Sequence, residues 1–124
     1  MQKSNSKFKS DLKERCFQLS LKIIRILDSL PNKISAKIIS NQVIRSITSI
    51  GANLIEAKAS SSRLEFKKFH EIALKSANES KYWLRLLHES ELISSDDFNS
   101  LNSELEEITK MLAAGIIKLK NIKF

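Results

Sequence analysis

Between Gln42 and Leu87 the chain reads QVIRSITSIGANLIEAKASSSRLEFKKFHEIALKSANESKYWLRLL, two helical patterns joined by a short serine-rich break. Small and polar residues (Ser46, Ser49, Gly51, Asn53, Glu56, Ser76, Glu79) stand where a simple soluble bundle would carry leucines and surface lysines. The whole chain holds only two glycines and one proline, which leaves little material for tight hairpins or barrel corners. Aliphatic residues outnumber aromatic ones, and 124 residues suffice for one core and not two. The expected fold is a single all-α domain over residues 1–124.

Apolar spacing divides that domain into helices over about residues 8–30, 34–59, 62–89 and 95–121, with residues 1–7 expected to fray. In the first, Phe8, Leu12, Leu19, Ile23, Ile26, Leu27 and Leu30 recur at helical intervals up to the break at Pro31 and Asn32. The second carries Ile38, Val43, Ile47, Ile50 and Leu54, and AKASSSR interrupts it. Ser62 and Glu65 then spell a capping box for the third helix, whose stripe is Phe66, Phe69, Ala73, Ala77, Trp83, Leu84 and Leu87. Ser95, followed by Asp96 and Asp97, is the expected cap of the fourth, which continues through Phe98, Leu101, Leu105, Ile108, Leu112, Ile116 and Leu119. Connections this short make successive helices antiparallel neighbours, so the expected architecture is an antiparallel up-down-up-down four-helix bundle.

The net charge is +7. A basic balance of this size points to a polyanionic partner, nucleic acid before an acidic membrane. In an up-down bundle the start of helix one, the turn between helices two and three, and the end of helix four share one end. Lys3, Lys7, Lys9, Lys13, Arg15, Lys58, Arg63, Lys67, Lys68 and the C-terminal lysines collect there, whereas residues 89–107 contain seven acids and no lysine or arginine. Helix dipoles account for the acids near Ser95 and the lysines after Lys118. They do not account for bases that open helices one and three. The expected nucleic-acid contacts are therefore Lys7, Lys9, Lys13, Arg15, Arg63, Lys67 and Lys68.

Gln42, Arg45, Ser49, Asn53 and Glu56 form a polar stripe on helix two, answered on helix three by Lys75, Ser76, Glu79 and Tyr82. Folding about a turn near Ser60 brings Arg45 to Ser76 and Glu79, and Asn53 and Glu56 toward Arg63 and Lys67. A part-buried Arg45–Glu79 pair would fix the register of the two helices. Gly51 costs about 1 kcal/mol relative to alanine inside a helix, which suggests close approach of another backbone. Gly115, after Ala113 and Ala114, suggests a similar narrowing on helix four. Arg45, Ser49, Gly51, Asn53, Glu56, Ser76, Glu79 and Trp83 are read as packing or interface residues.

The residues Ser49, Ile50, Ala52, Asn53, Leu54, Ile55, Glu56 and Ala57, then Ser62, Phe66, Ile72, Ala73, Ser76, Glu79, Tyr82, Trp83, Leu84, Leu86 and Leu87, carry a family resemblance. They resemble the 23S rRNA intervening-sequence proteins, whose relatives include the accessory proteins of diversity-generating retroelements. The match covers helices two and three closely and the outer helices by pattern. Many relatives have tryptophan and tyrosine in helix one, where this chain has Cys16, Phe17 and Ile24, and others have glycine in place of Ala57. The resemblance implies a four-helix bundle assembled as a ring, typically a pentamer. It also implies binding to structured RNA, or to RNA–DNA with a reverse transcriptase, and no enzymatic activity in the bundle itself.

Enzyme chemistry finds little footing in the sequence. A di-metal bundle needs Glu-x-x-His motifs, but Lys67 precedes His70 and Arg85 precedes His88 at that spacing. No His-x-x-x-His pair, cysteine cluster or glycine-rich phosphate loop occurs, so no metal or cofactor is expected. Glu56, Glu79 and a lysine could form a nuclease centre, but their spacing fits a register-setting network equally well. Cys16, the single cysteine, reads as packing, and the N-terminal residues lack an apolar signal core. The expectation is a cytoplasmic, self-associating, non-enzymatic scaffold for RNA or an RNA–DNA complex, without a membrane role. The alternative is a protein-interaction adaptor whose helix-two and helix-three stripe is the seam.

Overall fold

The computed structural model describes the backbone of residues 3–120 and the side chains of residues 11–119. Four helices follow in order: α1 (Lys3–Asp28), α2 (Ile34–Ala59), α3 (Arg63–Glu89) and α4 (Ser95–Lys120). Among the described residues there is no strand.

The helix ends have local causes. α1 begins earlier than apolar spacing suggests, because no proline or glycine interrupts its polar opening turn. It stops at Asp28, where the amides of Ser29 and Leu30 donate to the carbonyls of Ile26 and Leu27 at 3.1 and 3.2 Å, tightening the last turn ahead of Pro31. At α3 the Ser62 hydroxyl accepts from the Glu65 amide at 3.1 Å. The Glu65 carboxylate reaches back to the amide of Ser61, at 3.2 Å, rather than to that of Ser62. α3 closes in a Schellman motif: the amides of Glu91 and Leu92 donate to the carbonyls of His88 and Leu87, each at 3.0 Å, with Glu91 at φ 60°. The cap of α4 is Ser94, whose hydroxyl accepts from the Asp97 amide at 3.1 Å. Ser95, the expected cap, is already inside the helix, one residue along a run of two serines.

Each helix has two neighbours, α1 lying beside α2 and α4, and α3 beside α2 and α4, while the backbones of the diagonal pairs stay apart among the described residues. The core between them is aliphatic: Leu19 and Ile23 from α1, Val43, Ile47 and Ile50 from α2, Leu84 and Leu87 from α3, and Leu101, Leu105, Ile108 and Leu112 from α4. Ile93 in the last connection plugs one end. Ile38 is not part of the core; it is 58% exposed, and Ala36 and Ile39, which share the phase of Val43, take the buried face.

Among the described residues α2 and α3 make the most extensive contact and α1 and α4 the least. The α2–α3 seam is lined by small residues, including Ser46 and Ser80, both fully buried. Each is satisfied within its own helix, Ser46 donating to the Val43 carbonyl at 3.3 Å and Ser80 to that of Ser76 at 2.8 Å. Across the α1–α2 seam, a Cβ added to Gly51 would lie 3.3 Å from the Cβ of Cys16, so the close approach expected of this glycine is made by α1. Among the described residues nothing lies within 4 Å of such a Cβ at Gly115, and they form no narrowing there.

Candidate nucleic-acid interface

Lys13 on α1 and Lys58 in the last turn of α2 stand against each other. The Lys13 amine is held below its ordinary pKa by partial burial and then by the neighbouring Lys58. Among the described residues no carboxylate forms an ion pair with either amine, whereas Arg15, Arg45 and Lys81, for example, each meet one. Two amines pressed together without a counter-charge raise the local potential and favour an anion. Lys67 is half-buried and Lys68 exposed near the start of α3, which Arg63 opens, while the side chains of Lys7 and Lys9 lie outside the described residues.

Arg15 belongs to a different environment. Its Nε and Nη2 donate to the two carboxylate oxygens of Glu104, each at 2.8 Å, and Nη1 reaches the Met111 sulfur at 3.5 Å. Asp11 lies 3.8 Å away on the same face of α1. This fork-to-fork pair holds the Glu104 carboxyl below its usual range and the Arg15 guanidinium above its own. Arg15 thus fastens α1 to α4. Lys22 and Ser100 make a second bond across the same seam. The acid-rich start of α4 is partly neutralised in the same way, since Lys81 of α3 also meets Glu106 at 3.0 Å.

The polar stripe of α2 and α3 is a connected network. Gln42 accepts from Arg45 at 2.8 and 3.1 Å; Arg45 pairs with Glu79; and the Trp83 indole donates to the same Glu79 oxygen at 2.7 Å. The indole first, and Arg45 second, hold the Glu79 carboxyl below its usual range. The pair is more open than expected, with Arg45 and Glu79 side chains 55% and 39% exposed. Tyr82 packs edge-on against Trp83, with ring centroids 5.0 Å apart. Ser49 and Ser76 share a hydrogen bond of 2.9 Å, and the Asn53 amide donates to the Ser49 carbonyl at 2.8 Å and hydroxyl at 3.0 Å. Asn53 therefore turns back along α2 rather than toward α3, and Glu56 is exposed.

The histidines are separate. His70 shares a 3.0 Å bond with the Phe66 carbonyl, and His88 stacks on Phe98 with centroids 4.3 Å apart. Cys16 is buried, and burial followed by the nearby Glu104 pushes its thiol up to about 12. This is the packing role expected of the lone thiol, and Leu12, Cys16, Leu19 and Ile23 repeat at helical spacing along the same buried face. Among the described residues no helix is long and apolar enough to cross a membrane.

Four helices in mutual contact around one aliphatic core, with their charged groups at the surface, define a small all-α bundle protein. The profile of the family described as 23S rRNA-intervening sequence protein matches residues 9–114, and the chain belongs to that family. It is similar to a crystal structure from Bacteroides thetaiotaomicron, a protein with unknown function from the S23 ribosomal protein family. That similarity has 38% identity and a TM-score of 0.79, covering 85% of this chain and 97% of the other. No curated protein matches the chain.

Proposed function

We propose that this chain is a non-enzymatic scaffold that binds structured RNA, or an RNA–DNA complex, through phosphate contacts at one basic end. The observation that carries the reading is the Lys13–Lys58 pair, two amines brought together from different helices with no carboxylate in an ion pair with either among the described residues. Lys67, Lys68 and Arg63 extend the surface. The reading takes the bundle as up-down-up-down. Partners that descend on one helix as they ascend on the other support this: Arg15 and Lys22 meet Glu104 and Ser100, and Arg45 and Ser49 meet Glu79 and Ser76. The family description, which names 23S rRNA, is consistent with an RNA partner. The proposal includes a cytoplasmic location and self-association, as a ring of five in the form the resemblance implies. A reverse transcriptase is one candidate protein partner.

Fluorescence anisotropy with a labelled RNA stem-loop, repeated across a salt series, tests the reading. Affinity should fall with a logarithmic slope of about −0.7 to −0.9 per phosphate contact, and Lys13→Gln or Lys58→Gln should each flatten the slope by about 1. Absence of binding at low salt, or binding indifferent to salt, would exclude it. In that event the exposed network of Arg45, Glu79, Tyr82 and Trp83 favours a protein-interaction adaptor, since arginine, tyrosine and tryptophan are the residues that anchor interfaces.

A further inference from the structure

We propose that the α1–α2 face beside the two amines binds an unpaired stretch of nucleic acid, with a phosphate between Lys13 and Lys58 and a base stacked on Phe17. This rests on the phosphate-binding reading above and specifies its ligand.

Three observations converge on this face. Lys13 and Lys58 meet across the α1–α2 seam, and Gly51 and Cys16 touch across the same seam deeper in. Lys13 and Phe17 are four residues apart on α1, while Gly51, Ile55 and Lys58 follow at spacings of four and three on α2, so each set shares one helix face. Phe17 and Ile55 are large apolar side chains left 58% and 62% exposed beside that seam. An exposed phenylalanine is not needed by this core, which is filled by aliphatic residues. Next to paired amines it supplies what a nucleotide needs, a flat apolar surface within reach of positive charge. Lys13 and Phe17 are separated by a rise of about 6 Å, roughly one helical turn, so neighbouring parts of one strand can reach both.

The ring selects between nucleic acid forms. A base within a duplex has both faces covered by its neighbours, whereas an unpaired base offers a face for stacking. Ile55 provides an apolar flank next to Lys58. An anionic membrane is a weaker occupant because the large exposed apolar residues of the chain lie on all of its helices rather than on this face alone.

The test compares the intact protein with Phe17→Ala, Phe17→Tyr and Ile55→Ser, all at exposed positions. The probes are a fluorescein-labelled oligouridylate, an RNA duplex of equal length, and phosphatidylglycerol vesicles. The single strand should bind tighter than the duplex, Phe17→Ala should weaken it roughly tenfold or more, and Phe17→Tyr should restore it. Light scattering should give the same mass for wild type and Phe17→Ala. Equal binding of single strand and duplex, unmoved by Phe17→Ala, would overturn this inference and leave the phosphate-binding reading intact. No binding of either RNA would overturn both, and vesicle binding in its place would assign the face to a lipid surface. A smaller mass for Phe17→Ala would overturn it in favour of an interface between copies of the chain.

Discussion

Gly51 of α2 and Cys16 of α1 meet so closely that a methyl group at Gly51 would sit 3.3 Å from the Cys16 Cβ. A methyl group at Gly115 would meet none of the described residues within 4 Å. Gly115→Ala should therefore stabilise the bundle by about 1 kcal/mol through helix propensity. Gly51→Ala should fall short of that gain, and Gly51→Leu should cost about 1–3 kcal/mol by overpacking. Because the neighbour is the Cβ and not the sulfur, Cys16→Ala should fail to rescue Gly51→Leu. Urea denaturation of the set measures each difference.

The bidentate pair of Arg15 and Glu104 is half-buried, and losing one partner strands the other. Arg15→Met should cost about 1–3 kcal/mol, while Arg15→Met with Glu104→Leu should recover much of it. The Glu104 pKa is lowered chiefly by hydrogen bonds from Arg15, with burial opposing. A depressed carboxyl contributes stability above its unfolded value of about 4.3 and loses it as pH falls through the folded value. The urea midpoint of wild type should accordingly approach that of Glu104→Gln below about pH 4.

Trp83 is the single tryptophan of the chain and donates to Glu79, so its emission reports that carboxylate. The emission should titrate with a midpoint below the ordinary glutamate value of about 4.3. Glu79→Gln should abolish the titration while costing roughly 1 kcal/mol or less, as exposed pairs do. A titration that survives in Glu79→Gln would contradict the hydrogen bond.

The Cys16 thiol, pushed up to about 12 mainly by burial, should not react with a disulfide reagent until the bundle opens. Its folded value lies above the unfolded one. The stability of the neutral thiol is thus complete below about pH 8.5 and is lost as pH rises toward the folded value. Cys16→Ala should lose less stability to alkali than wild type does.

Glu91 holds a left-handed φ of 60° in the α3 Schellman motif, a conformation that glycine adopts without penalty. Glu91→Gly should raise stability by about 0.5–1 kcal/mol, read as an increase in the urea midpoint with unchanged slope.

Much of this architecture was legible because the punctuation is strong. α2 occupies Ile34–Ala59 as expected, since Pro31 and AKASSSR mark both sides, and Ser62 caps α3 as its spelling indicates. The start of α1 was not legible, because polar residues without a breaker neither stop a helix nor announce one. Ser94 and Ser95 present the same chemistry, so local pattern does not distinguish the α4 cap from its neighbour. Ile38 is large and apolar and so looks like core, whereas helical phase favours Ala36 and Ile39. At the candidate interface the grouping of Lys13 with Lys58 followed from helix order. The attachment of Arg15 to Glu104 did not, because long-range partners across 89 residues are decided by side-chain geometry that no local pattern encodes.

The four seams of the bundle differ in kind. α2 and α3 interlock over small residues, whereas among the described residues α1 meets α4 through the slightest contact, fastened by Arg15 to Glu104 and Lys22 to Ser100. Salt screens bonds of that type where solvent reaches them and leaves aliphatic packing untouched. The molecule therefore has a grain: the α2–α3 pair is its spine, and the edge between α1 and α4 is where it splits first. Amide exchange along that edge should quicken with ionic strength while the spine keeps time.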